Sequence, residues 1–134
     1  MQYLLSIYED EKRFANLPKD QFQKELGEYR ALGSEFKSLI KGGNALQPTN
    51  NATTVRVRNG KRLTTDGPFA ETKEQVAGFY LIEARDLNEA IQVAARLPSA
   101  AYATVEVRPC RQLIVDGIAR PSSSKSRHHP ATVL

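Results

Sequence analysis

Residues Gln75 to Ala84 read QVAGFYLIEA. In a strand, successive side chains point to opposite sides, so Val76, Gly78, Tyr80 and Ile82 share one face and Ala77, Phe79, Leu81 and Glu83 the other. Both faces are largely apolar, which predicts a strand buried on both sides. Tyr3 to Tyr8, YLLSIY, has the same two-sided character. Strands of this kind need apolar cover above and below, and the rest of the chain decides how much of it is supplied.

Upstream, Pro18 suits the first turn of a helix and Asp20 complements its positive end. Phe22, Leu26, Tyr29, Gly33, Phe36 and Ile40 then recur at steps of four and three, and Leu32 and Leu39 widen the stripe. This spacing predicts one long amphipathic helix packed on the core. Lys37 and Lys41 are expected in its last turn, with Gly42-Gly43 stopping it and a loop from Asn44 to Asn51. Asn59-Gly60, between Thr53–Arg58 and Lys61–Thr65, signals a hairpin. A two-residue turn would pair Arg58 with Lys61 and set Val55 opposite Thr64. A three-residue loop would pair Val57 with Lys61 and set Val55 opposite Leu63, leaving Arg56 opposite Arg62. The second register keeps the apolar residues together and is the one expected.

Downstream, Asp86 is placed to cap a second helix, with Glu89 completing a capping-box-like pair. Leu87, Ala90, Ile91, Ala94 and Leu97 form its predicted buried stripe, Pro98 ends it, and Ala103 to Arg108 is the last core strand. Residues 111–118 allow one more short strand. The Ser-, Pro- and base-rich run beyond Arg120 predicts a flexible tail.

Strand, helix, hairpin, strand, helix, strand is the order of an α+β fold, a ferredoxin-like sandwich with an antiparallel sheet. The domain is expected over residues 1–110, followed by a C-terminal extension over 111–134. Two helices cover only one face of such a sheet, so the second face predicts a homodimer packed sheet against sheet.

Composition narrows the function. The chain has 134 residues, one of them a cysteine, Cys110, which excludes an internal disulfide. No apolar run is long enough to span a bilayer, and MQYLLSIYEDEK lacks the basic start of a signal peptide, so a cytoplasmic protein without membrane contact is expected. The net charge is +4. Residues 111–134 hold four Lys/Arg against one Asp, and residues 1–110 hold 15 against 14. The basic excess lies in the extension rather than in a stripe on the domain, which argues against a nucleic-acid partner. No glycine-rich phosphate loop appears, no cofactor is called for, and adjacent His128-His129 in a tail make a poor metal site.

The densest unusual segment is Thr65 to Glu74, TDGPFAETKE. Gly67 before Pro68 forces a turn. Asp66 there is either a turn former or a carboxylate that acts as base or orients a ligand, with Lys73 and Glu74 at the rim. Phe69 is expected to pack inward. Glu106 and Arg108 share a strand face and either orient a polar ligand or pair across a dimer. Cys110 lies beside Arg108 and Arg111, cations that would lower its thiol pKa.

Asp66 to Ala84, DGPFAETKEQVAGFYLIEA, resembles the signature of the DGPF proteins of the YCII-related family. The opening YLLSIYED and the VEVRP run, Val105 to Pro109, are similar to that family as well, so the resemblance spans roughly residues 1–110. It implies a ferredoxin-like fold of the dimeric α+β barrel type. Some relatives imply a His–Asp pair used in small-molecule lyase or hydrolytic dehalogenation chemistry. The family's gene context implies an extracytoplasmic-function sigma factor as a partner. The helix histidine of the enzyme-like relatives is missing: residues 18–41 contain none, and Tyr29 stands near where it would fall. Asp66 would then need Tyr29, Tyr80 or Lys73 as its partner. The expected protein is a homodimer whose cleft between sheet and helix binds or transforms a small polar molecule. Asp66 would be its key carboxylate, Tyr29 and Tyr80 hydrogen-bonding partners, and Lys73, Glu106 and Arg108 ligand contacts. The alternative is a non-enzymatic accessory partner of the sigma factor.

Overall fold

The computed structural model describes residues 1–115, 118 and 119. Four strands form the main sheet: β1 (Gln2–Glu9), β2 (Ile40–Ala45), β5 (Gln75–Glu83) and β6 (Thr104–Pro109), in the order β2-β5-β1-β6 with every pair antiparallel. The fold is α+β. Helix α1 (Glu11–Ala15) follows β1, α2 (Lys19–Glu35) leads to β2, and α3 (Leu87–Arg96) joins β5 to β6. Strands β3 (Thr53–Arg58) and β4 (Lys61–Asp66) form a separate two-stranded sheet. Beyond β6, the short strands β7 (Ile114–Val115) and β8 (Ile118–Ala119) pair with each other where one strand was expected. The tail beyond Arg120, with His128 and His129, lies outside the described residues.

Both longer helices sit on one face of the sheet. Strand alternation points Tyr3, Leu5 and Ile7 of β1 and Ile82 of β5 into a core completed by Leu32 of α2, by Ala90, Val93 and Ala94 of α3, and by Leu97. Leu5 and Ile82 are fully buried. The α3 stripe is Ala90, Val93, Ala94 and Leu97; Leu87 and Ile91, expected inside, are about half exposed on its outer side. Its N-terminus is capped as read from the sequence. Asp86 Oδ1 accepts from the Glu89 amide at 2.9 Å, and Glu89 Oε1 accepts from the Arg85 amide at 2.8 Å.

Helix α2 ends earlier than its stripe suggests. Phe36 is its C-cap, and the chain turns so that Ile40 pairs with Ile82. The Leu39 carbonyl accepts from the Glu83 amide at 2.8 Å. Gly42-Gly43 is therefore not a helix stop, and Asn44 is not in a loop: both belong to edge strand β2, which carries a register shift between Ile40 and Gly42. A Cβ on Gly43 would lie 2.5 Å from the Phe79 carbonyl oxygen, so the close approach of β2 to β5 requires glycine there.

The hairpin register also corrects the sequence expectation. Arg58 pairs with Lys61, Val55 with Thr64, and Arg56 with Leu63. Asn59 and Gly60 both have positive φ, 53° and 74°, the backbone of a two-residue turn. Val55, Val57 and Leu63 are all at least half exposed, so no core rewards bringing them together, and turn chemistry sets the register.

On the main sheet's other face lie Leu4, Leu81, Phe79 and Tyr8, with Ser6, Glu106 and Arg108 among them, and also Val76, which a register shift between Ile7 and Tyr8 sets opposite Tyr8 rather than on the Tyr80 and Ile82 face expected from strict alternation. Leu4, Phe79, Leu81 and Tyr8 are only partly buried, and Val76 is 39% exposed. The two-sided burial read from β5 is thus met on the helix face and left incomplete on this one. No helix among the described residues is long and apolar enough to cross a membrane.

Candidate functional site

The inward alternation of β1 continues past Ile7 to Glu9, which brings a carboxylate to the edge of the core, 9% exposed. Its Oε2 accepts from Ser99 Oγ at 2.9 Å. Ser99 is fully buried in the 3-10 turn Pro98–Ala101, formed where Pro98 stops α3. Ser99 Oγ also bonds the Tyr29 hydroxyl, which reaches it from α2. A serine has one proton, and here it goes to Glu9, so the Tyr29 phenol is the donor in the other bond. The chain of donors runs from Tyr29 through Ser99 to Glu9. Burial pushes the Tyr29 phenol well above its ordinary range, despite the Ser99 bond, so it stays protonated at neutral pH.

A second group adjoins the first. Gln21, Glu25, Tyr29 and Leu32 recur along one side of α2, which brings Glu25 to 7% exposure one turn before Tyr29. Its carboxylate accepts from Arg13 of α1 at 2.7 and 3.4 Å, from Gln21 Nε2 at 3.1 Å and from the Tyr102 hydroxyl at 3.2 Å. The Arg13 bond, with help from Gln21 and Tyr102, holds the Glu25 carboxyl below its ordinary value against the opposing effect of burial. The same bond pushes Arg13 up. The Arg13 guanidinium also stacks over the Tyr102 ring, 3.5 Å from its centre. Burial raises the Tyr102 phenol. Among the described residues, no buried side-chain nitrogen or oxygen lacks a partner. Tyr29 and Tyr102 are both half-buried.

The residues singled out from the sequence are dispersed. Tyr29 is in the network. Tyr80 packs against the core on the helix face of β5, and burial raises its phenol. Asp66 ends β4 opposite Thr53 and is exposed, and among the described residues no side chain or amide bonds its carboxylate and no bond or ion pair joins it to Tyr29, Tyr80 or Lys73. Its turn is held instead by backbone: the Gly67 amide donates to the Ala52 carbonyl at 2.7 Å, and Thr54 Oγ1 to the Gly67 carbonyl at 2.9 Å. Phe69 does not pack inward. It is 76% exposed, with the Arg56 guanidinium 5.2 Å from its ring centre. Lys73 is exposed in the β4–β5 connection. Glu106 and Arg108 pair with each other at 2.9 Å on the open sheet face. Cys110 is half-buried, and burial followed by the charge of Glu83 raises its thiol, the reverse of the expected lowering by neighbouring cations. No group of three or more His, Cys, Asp or Glu among the described residues is arranged to hold a metal ion.

Glu9, Glu25 and Ser99 were missed. The signal for Glu9 was present, since it continues the inward run Tyr3, Leu5, Ile7; that for Glu25 was its place four residues before Tyr29. Ser99 had none, because a serine after a helix-ending proline reads as a turn residue.

The YCII-related domain family matches residues 1–114. An uncharacterised protein of Rhizobium meliloti (strain 1021) is 37% identical over 113 residues, covering 81% of this chain and 91% of that protein. Among solved structures, 5-chloro-2-hydroxyhydroquinone dehydrochlorinase from Burkholderia phenoliruptrix AC1100, in complex with 2,5-dihydroxybenzoquinone, aligns with a TM-score of 0.45 at 15% identity. That alignment covers 84% of this chain and 95% of the other. The chain belongs to the YCII-related family.

Proposed function

We propose that this YCII-related protein is a homodimer of ferredoxin-like subunits that binds a small polar molecule where β1, α2 and the Pro98–Ala101 turn meet. The observation that carries the reading is the Tyr29–Ser99–Glu9 hydrogen-bond chain. It puts a neutral phenol donor and a carboxylate acceptor at opposite ends of one serine. Such a chain can pass a proton from a ligand toward Glu9, or hold the ligand's polar end without reaction. The β2-β5-β1-β6 order, with both long helices on one face, supports the ferredoxin-like topology. The half-covered apolar residues of the other face support the dimer.

A thermal-shift screen of small hydroxylated and carboxylated molecules tests the site. The wild type is compared with Tyr29→Phe and Glu9→Gln, which keep shape and remove the donor or the charge. The expected result is a compound that raises the melting temperature of the wild type and loses its effect in both variants. A compound that stabilises all three chains equally would place binding elsewhere. Asp66→Asn in the same screen decides whether that exposed carboxylate also contributes: a lost response there would bring Asp66 into the site.

A further inference from the structure

Hairpin β3–β4 stands outside the main sheet and carries four cations, Arg56, Arg58, Lys61 and Arg62, against Asp66 alone. The rest of residues 1–110 holds 11 Lys/Arg against 13 Asp/Glu. The near-neutral total over residues 1–110, which argued against a basic stripe, thus conceals a basic ribbon on a slightly acidic body. Cross-strand partners share a face, so the pairs Arg58–Lys61 and Arg56–Leu63 put three of the cations on one side of the ribbon. Val55, Val57 and Arg62 lie on the other side. Arg56, Arg58 and Lys61 are exposed, and none of them makes an ion pair among the described residues. Arg58 stands directly opposite Lys61, and like charges so placed cost stability unless an anion approaches them. Phe69 adjoins this face through Arg56. Its ring is 76% exposed, and the guanidinium carbon of Arg56 lies 5.2 Å from the ring centre.

We propose that this face of the hairpin binds single-stranded nucleic acid, with Arg56, Arg58 and Lys61 on phosphates and Phe69 as the platform on which a base stacks. Two features select this occupant. The cations are strung along an exposed ribbon rather than gathered round a cavity, which suits an extended polyanion better than a small anion. A bare aromatic ring beside a line of cations is the arrangement that holds an unpaired base. A duplex keeps its bases stacked inside, and an acidic peptide needs the cations but not the ring. The inference is independent of the Tyr29–Ser99–Glu9 site.

Fluorescence anisotropy with a labelled oligothymidylate tests it on the full chain. The variants are Arg58→Gln with Lys61→Gln, Phe69→Ala and Phe69→Trp, all at exposed positions, with circular dichroism checking each fold. The wild type should bind. The double charge variant should bind about tenfold or more weakly, and its log affinity should fall less steeply with log salt, by about 1.4 in slope for two phosphates at roughly 0.7 each. Phe69→Ala should bind on the order of tenfold more weakly with the salt slope unchanged, and Phe69→Trp should keep the affinity. Polyglutamate and a duplex should compete poorly with the single strand. A wild type that does not bind overturns the proposal. A charge variant that binds like the wild type overturns it by placing the binding off the hairpin. A Phe69→Ala variant that binds like the wild type, or polyglutamate that competes as well as the strand, overturns it by making the ribbon a surface for any polyanion.

Discussion

Glu25 accepts hydrogen bonds from three side chains at the edge of the core, and its ionised form is the one they favour. Its folded pKa lies below its ordinary value of 4.5, so the unfolded chain takes up a proton first as pH falls. Its contribution to stability is therefore complete above that value and is lost as pH drops through the folded pKa. Glu25→Gln should flatten the fall in melting temperature between about pH 6 and 3, which a series of melts reads directly. Ser99 is the hub of the neighbouring chain. Ser99→Ala strands a phenol donor and a carboxylate acceptor and should cost about 1–3 kcal/mol for each group left unpaired. Tyr29→Phe removes one hydrogen bond and should cost nearer 1 kcal/mol. If denaturant titration gives equal losses for the two, Ser99 is not the hub. Asp66→Asn, at an exposed carboxylate without a hydrogen bond, should change stability by less than about 0.5 kcal/mol.

Among the elements, β2 and the hairpin show where glycine determines geometry. Gly43→Ala forces a Cβ against the Phe79 carbonyl and should cost about 1–3 kcal/mol, with amide exchange accelerated along β2 before the rest of the sheet. Gly60→Ala puts a side chain at φ 74° and should loosen only the β3–β4 pairing, by about 1–2 kcal/mol. The strongest sequence signals were those of one element read alone: the period of β5, the Asp86 cap, the Asn59-Gly60 turn. Signals that depend on tertiary competition misled. Leu39 and Ile40 fit the helical stripe of α2, yet pairing with β5 takes them into the turn and the strand that follow. Val55 and Leu63 suggested a register that only a core beneath the hairpin would enforce. The functional site divided the same way. Tyr29 could be singled out, but its partners Ser99 and Glu9 are 70 and 20 residues away along the chain, and their meeting depends on how α3 ends and where β1 stops.

At the scale of the molecule, both long helices lie on one side of the sheet, and Leu4, Phe79, Leu81 and Val76 lie on the other with partial cover. Burial that is complete on one face and incomplete on the other is the signature of a surface made for contact. The homodimer proposed above would cover this face with matching apolar area from a second copy. Light scattering of the full chain at micromolar concentration tests this most directly. The predicted mass is twice the 14.9 kDa of one chain, unchanged on tenfold dilution. A steady 14.9 kDa would contradict it and leave the open face without the partner assigned to it.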